Sequence, residues 1–256
     1  MNPSLVRRKL NAGEPVFTAK ACYADPELVE LVASAGFDAV WICLEHRRLD
    51  PAVAVSLLQA CRLGGADALV RIRPALYADL LWLLEAGARG IMLPRVRHPD
   101  EVRAVVEAMK FPPLGRRGSD VVHADSAFGR QPLPDYLAAA NRETFLVVQI
   151  EEPEVVPHVD AIAAMPGVDV LFVGPGDLSL GLGQPGAHAG PEVMRVVESV
   201  GAACRRHGKR AGLPCAADQV PRYRALGYSF FNVISDYRCV VAGLRAALET
   251  TRNPGP

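Results

Sequence analysis

The apolar residues of this chain arrive in short continuous runs, and eight such runs alternate with longer segments of helical periodicity. The runs are VFTAK (16–20), DAVWIC (38–43), ALVRI (68–72), GIMLP (90–94), FLVVQI (145–150), DVLFVG (169–174), KRAGL (209–213) and SFFNVI (229–234). Their apolar positions are consecutive rather than alternating, the pattern of parallel strands covered on both faces. Helices are expected at 26–36, 51–63, 77–86, 99–109, 153–164, 191–207, 217–225 and 236–250. The first of these opens on Asp25 as N-cap, with Pro26 at the first helical position, and closes at Gly36. Eight strand–helix units in 256 residues predict an α/β fold, a (β/α)8 barrel forming one domain over residues 1–256. A doubly wound open sheet is the competing architecture. It normally uses about five or six strands, and no G-x-G-x-x-G follows a strand here. The longest irregular stretch, 111–135, exceeds the usual loop length and is expected to be functional.

Charge and composition exclude several classes of partner. Lys plus Arg and Asp plus Glu number 28 each, so the chain has no basic footprint for nucleic acid or for an anionic membrane. No apolar run approaches the roughly 20 residues that span a bilayer, and the N-terminal segment lacks the apolar core of a signal peptide. A cytoplasmic location is expected. The six cysteines, at 22, 43, 61, 204, 215 and 239, form no C-x-x-C pair and read as reduced thiols rather than a zinc site or a disulfide framework.

In a barrel of this kind the chemistry sits at the C-terminal ends of the strands. Glu151 and Asp177 follow two consecutive strands, so their carboxylates converge at one rim. Two carboxylates plus water are a usual holding set for Mg²⁺ or Mn²⁺. The alternative is that Glu151 caps the helix near Pro153 and Asp177 caps the following turn. Gly174-Pro175-Gly176 offers small side chains and open backbone N–H groups, a nest for a carboxylate or phosphate. Arg71 ends an otherwise apolar strand, where it either reaches the rim or pairs with an acid such as Glu45 or Glu85; Arg73 follows it. His46 is the only histidine at an expected strand end and is the general acid/base candidate.

GFDAVWICLEH (36–46), ALVRIRP (68–74), LEAGARGIMLPRV (84–96), PPLGRRGS (112–119), VVQIEEPE (147–154) and VGPGDLSLGLG (173–183) together resemble the HpcH/HpaI aldolase family, in order, over nearly the whole chain. These are class II pyruvate aldolases that depend on a divalent metal (Mg²⁺, Mn²⁺ or Co²⁺). The resemblance implies that Glu151 and Asp177 ligate the metal, that Arg71 contacts the oxo or enolate oxygen, and that His46 serves proton transfer. It further implies that Gln149 lies beside metal and pyruvate, that the Gly176 and Asp177 amides hold the pyruvate carboxylate, and that 112–118 borders the substrate site. A homohexamer is implied too, a trimer of dimers in which the last helix, about 236–250, packs on a neighbouring subunit. Where members of the family carry Asp-Gly-Glu-His, this chain has Cys43-Leu44-Glu45-His46. A thiol cannot stabilise an imidazolium as a carboxylate does, and Glu45 is expected to point away from His46.

The reaction implied is cleavage of a 4-hydroxy-2-oxo acid into pyruvate and an aldehyde, an aldehyde-lyase activity of EC 4.1.2 type. Lys20 and Lys209 lie at strand edges, but this route requires no Schiff base. The alternatives are a citrate-lyase-like enzyme for an acyl-CoA or dicarboxylate, served by Arg95, Arg97, Arg116 and Arg117, and a catalytically idle barrel that binds oxo acids.

Overall fold

A computed structural model describes residues 1–72 and 77–252. Eight parallel strands close into a barrel in sequence order: β1 (Val16–Ala21), β2 (Ala39–Cys43), β3 (Asp67–Arg71), β4 (Gly90–Leu93), β5 (Phe145–Ile150), β6 (Val170–Val173), β7 (Arg210–Pro214) and β8 (Tyr228–Ser235). Each expected strand is present to within two residues at either end. Arg73, expected beyond the third strand, lies outside the described residues.

The continuous apolar runs are explained by two cores on opposite sides of one sheet. Ala39, Trp41, Leu69, Phe145, Val147, Val170, Phe172 and Phe230 point into the barrel. The intervening residues, among them Val40, Ile42, Val70, Leu146, Val148 and Leu171, point out onto the helices. Trp41, Phe172 and Phe230 pack edge to face inside, with ring centres 5.8 and 6.1 Å apart, the offset geometry that aromatic quadrupoles favour.

Eleven α-helices lie among the described residues: α1 (Leu5–Ala12), α2 (Pro26–Ser34), α3 (Pro51–Leu63), α4 (Tyr77–Ala86), α5 (Pro99–Met109), α6 (Leu133–Glu143), α7 (Val159–Ala164), α8 (Pro175–Gly181), α9 (Pro191–Arg206), α10 (Val220–Ala225) and α11 (Asp236–Arg252). Two expected helices are each split. Pro153–His158 and Ala217–Gln219 are 3-10 turns, and α7 and α10 follow them. Pro157 lies within the first of these turns, where its missing N–H cannot serve an α-helical ladder.

Three helices escape the sequence pattern: α1, most of α6 and α8. In α1 only Val6 and Leu10 are buried, a single pair one turn apart in a basic segment. That pair enters the barrel core and closes its N-terminal end. Asp67 anchors the lid by accepting from Ser4 Oγ at 2.5 Å and from the Val6 N–H at 2.9 Å. Arg210 Nη2 donates to the Leu10 carbonyl at 2.6 Å from the opposite side. Helix α1 thus covers this end, opposite the C-terminal mouth where the strand ends gather.

Gly90 shows how tightly the interior is filled. A Cβ there would lie 2.3 Å from Phe145 Cε2 and 2.8 Å from Leu69 Cδ1. Gly90→Ala is therefore expected to destabilise the barrel by about 1–3 kcal/mol through overpacking. Thermal denaturation checks this: the melting temperature should fall in Gly90→Ala and recover in part when Phe145→Leu is added. An unchanged melting temperature would show slack in the core.

Candidate active site

Arg71 stands at the centre of the mouth. It ends β3, pairs in register with Cys43 of β2, and is buried. A buried guanidinium must be paired or stacked on every side. Below, its Cζ lies 4.9 Å from the Trp41 ring centre. Laterally, Nη2 donates to Cys43 Sγ at 3.0 Å and Nη1 to Gln149 Oε1 at 3.4 Å. Glu45 Oε2 lies 3.0 Å from Nε but off its axis, so the contact is an ion pair rather than an aligned hydrogen bond. Of the two acids considered for Arg71, Glu45 is the partner.

Two sequence expectations are corrected here. Glu45 does not turn away from the site, because β2 ends at Cys43 and residues 44–46 form a bend to which strand alternation does not apply. Glu45 thus reaches both Arg71 and His46, whose Nε2 is 3.8 Å from Glu45 Oε2. The Cys43 thiol faces Arg71 and accepts from the His46 backbone N–H at 3.4 Å. The side chain against the imidazole is therefore Glu45. His46 itself is largely solvent-facing, with 59% of its side chain exposed, so proton exchange with water is open to it.

Glu151 is buried, and neither of its oxygens caps a helix. Oε1 accepts from the Arg95 N–H at 2.8 Å and Oε2 from Gln149 Nε2 at 2.8 Å. Gln149 is thereby a bridge between the cation Arg71 and the carboxylate Glu151. Arg95 aims its N–H by adopting a left-handed backbone, φ 57°, a conformation that costs a side-chain-bearing residue about 1–2 kcal/mol. Gly174 passes so close that a Cβ would sit 2.6 Å from Glu151 Oε2. Burial pushes the Glu151 carboxyl up to about 7, the Arg95 N–H opposes this, and the neighbouring Asp177 and Glu45 charges raise it further.

Asp177 lies in the first turn of α8, 44% exposed, 3.7 Å from Arg95 Nη1. Gly176 beside it is open, since a Cβ there would meet nothing within 4 Å. Among the described residues no group of three or more His, Cys, Asp or Glu side chains is placed to hold a metal. The donor set is instead two carboxylates with a neighbouring amide, which suits a hard divalent cation that keeps several waters. Burial raises Glu151 first and the nearby Asp177 and Glu45 charges add to it; a cation at these carboxylates would favour the ionised form against both.

The remaining expectations fall away from this centre. Lys209 Nζ donates to the Met165 and Val168 carbonyls at 3.2 and 2.8 Å, ahead of β6 and so at the closed end of the barrel. The four arginines considered for an acyl-CoA do not form a free basic patch. Arg95 and Arg97 are engaged by Glu152 at 2.7 and 3.8 Å, and Arg116 lies 3.9 Å from Glu107. Arg117 is buried, stacked 4.6 Å over Phe111. Segment 112–118 begins where α5 ends, with Arg117 held by Phe111, Tyr136 and the Lys110 carbonyl, and climbs back toward the mouth side, where Gly118 N–H donates to Tyr77 Oη, at the start of α4, at 2.6 Å. Sequence reasoning missed Trp41 as the platform under Arg71 and Arg95 as the donor to Glu151. An aromatic residue inside a strand carries no signal of its role, and neither does a left-handed arginine.

Residues 21–242 match the family model of HpcH/HpaI aldolase/citrate lyase. The 5-keto-4-deoxy-D-glucarate aldolase of Klebsiella pneumoniae subsp. pneumoniae is 33% identical over 236 residues, 91% of each chain. The enzyme of the same name from Citrobacter koseri is 36% identical over 217 residues, 83% of this chain and 82% of its own. The crystal structure of the HpcH/HpaI aldolase from Desulfitobacterium hafniense DCB-2 superposes with a TM-score of 0.90 at 29% identity, over 98% of this chain and 97% of that one. The chain belongs to the HpcH/HpaI aldolase/citrate lyase family, whose aldolases depend on a divalent metal. It is an aldolase, a carbon–carbon lyase.

The raised Glu151 carboxyl has a consequence for stability. Its ordinary value is 4.5 and its folded value about 7, so the folded chain holds the extra proton between them. In metal-free protein, stability from this group is present at pH 4.5, is lost as pH rises through about 7, and is flat above. Melting temperatures in chelator at pH 5 and pH 8 should differ by several degrees more in wild type than in Glu151→Gln. An identical pH dependence in the variant would show that Glu151 titrates normally.

Proposed function

We propose that the protein cleaves a 4-hydroxy-2-oxo acid into pyruvate and an aldehyde, with Glu151 and Asp177 holding Mg²⁺, Mn²⁺ or Co²⁺. The observation that carries this reading is the bridge through Gln149, which joins a buried cation, Arg71, to a buried carboxylate, Glu151, at the C-terminal mouth of the barrel. When bound there, a divalent cation supplies Lewis-acid polarisation of a 2-oxo acid. The chain's own residues do the rest. The 4-hydroxyl proton passes to His46, the C3–C4 electron pair moves onto C3 as the bond breaks, and the aldehyde leaves. Negative charge then rests on the 2-oxo oxygen, where the Arg71 guanidinium, already fixed by Trp41, Cys43 and Glu45, requires no reorganisation to meet it. Return of the proton held by His46 to C3, by exchange through water, completes pyruvate and resets the histidine. In this reading the backbone N–H groups of Gly176 and Asp177, in the first turn of α8, hold the pyruvate carboxylate. Glu45 orients His46 and balances Arg71 together.

The same reading makes the chain one barrel domain of a cytoplasmic homohexamer, a trimer of dimers. Two features support it. In α11 only Asp236 is buried, while Tyr237, Leu244 and Leu248 are 53%, 67% and 49% exposed, an apolar stripe suited to a neighbouring subunit. All six cysteines are free, as in a reducing compartment. No helix among the described residues is long and apolar enough to cross a membrane.

Deuterium exchange of the pyruvate methyl group, followed by NMR, tests the central claim. Exchange should vanish in chelator and return with Mg²⁺, Mn²⁺ or Co²⁺; Glu151→Gln and Asp177→Asn should each weaken that rescue without unfolding the barrel. Full exchange in a metal-free preparation would refute the assignment. Arg71→Lys keeps the charge but loses the planar fork. It should lower kcat for cleavage by about 10²-fold, the loss typical of one transition-state donor, with a smaller rise in KM. An unchanged kcat would reduce Arg71 to a structural partner of Glu45.

A further inference from the structure

The carboxylates Glu45, Glu151 and Asp177 occupy one side of the barrel mouth, beyond the ends of β2, β5 and β6, around Arg71 at the end of β3. On the other side β1, β7, β8 and the start of α8 enclose a cavity of about 580 Å³, lined by Lys20, Trp41, Gly176, His188, Asn232 and Arg238 among others. Lys20 is half-buried on β1, in register with Trp41, and its Nζ sits 4.9 Å from the indole centre. Among the described residues no carboxylate lies within ion-pair distance of Lys20, His188 or Arg238. The acid nearest in sequence to Arg238, Asp236, is turned to the backbone, accepting from the N–H groups of Cys22, Tyr23 and Tyr237 at 2.8, 3.0 and 2.6 Å. An indole attracts a cation by about 0.5–2 kcal/mol but cannot neutralise it. This half of the mouth is therefore basic and lacks a counterion.

Its placement relative to Arg71 sets the size of ligand it takes. The Arg71 guanidinium lies 4.9 Å from the same Trp41 ring, so the two cations are no farther apart than twice that distance. With C–C bonds of about 1.5 Å, the ends of an extended six-carbon chain are about 6 Å apart. One small oxo acid whose oxo end lies at Arg71 reaches Lys20 with its far end. We infer that Lys20 is a specificity-determining residue that binds an anionic terminal group, carboxylate or phosphate, on the aldehyde half of the substrate; this rests on the aldolase reading above. A substrate with a neutral far end leaves Lys20 without a counterion.

The test reads binding and turnover separately. Trp41 and Trp82 are the only tryptophans, so a Trp82→Phe background makes indole fluorescence report on the platform under Lys20. In that background 2-oxoadipate, with a carboxylate at both ends, should bind at least tenfold tighter than 2-oxohexanoate. Lys20→Met should remove most of that difference and Lys20→Arg should keep it. This comparison holds whether or not methyl exchange is detected, so failure of the aldolase reading is visible apart from failure of the Lys20 assignment. In the aldol-addition direction, pyruvate is combined with 2-hydroxy-3-oxopropanoate, glyceraldehyde or glyceraldehyde 3-phosphate. The anionic aldehyde whose kcat/KM advantage over glyceraldehyde falls about tenfold or more in Lys20→Met, chiefly through KM, identifies the terminal group. Equal binding of the two oxo acids by wild type would overturn the inference, as would a preference that survives Lys20→Met or a loss in that variant that is uniform across all ligands.

Discussion

The buried guanidinium of Arg71 is the constraint around which the open end of this barrel is arranged. A cation with so little exposed surface survives only if each of its faces is occupied. Trp41 takes one face, Cys43 and Gln149 take two of the edges, and Glu45 supplies the opposing charge. These partners come from β2, its following bend and β5, so the position of Arg71 fixes the relative placement of segments far apart in the chain. The site is rigid for the same reason that the cation is tolerated.

From that centre the mouth divides by charge. Toward β5 and β6, Gln149 passes the polar network to Glu151, whose carboxyl is raised to about 7 first by burial and further by the Asp177 and Glu45 charges. Toward β1 and β8 the walls carry Lys20 and Arg238, which no carboxylate among the described residues engages. A chain whose formal net charge is zero has thus separated its charges over a single opening. The separation is local rather than global: carboxylates gather on one side of the opening and cations on the other. Helix α1, held by Asp67 and Arg210, covers the far end, opposite this mouth.

Cys43 illustrates how a departure from a family pattern acquires meaning only in place. Considered beside His46 alone, a thiol where relatives have a carboxylate suggests a weakened acid/base pair. In the structure the thiol faces the guanidinium, and the carboxylate against the imidazole is Glu45. The effect of the substitution therefore falls first on the balance of charge around Arg71, where Glu45 is the anion in contact among the described residues.

By itself the sequence determined the barrel and the ring of residues from which the site is drawn. Eight continuous apolar runs can be buried on both faces only in a parallel sheet, and that architecture gathers strand ends such as Arg71, Glu151 and Asp177 at one face. Period and spacing are local properties, so they are written in the chain. What only the tertiary structure decided are contacts between strands: Arg71 on Trp41 and Glu45, Glu151 on the left-handed Arg95, and Lys20 facing a cavity without a counterion. The bend after Cys43 ends the alternation that would have sent Glu45 outward, and α5 carries the chain toward the closed end before 112–118 climbs back to the start of α4. Such contacts depend on the closure and register of the barrel, which no window of neighbouring residues encodes.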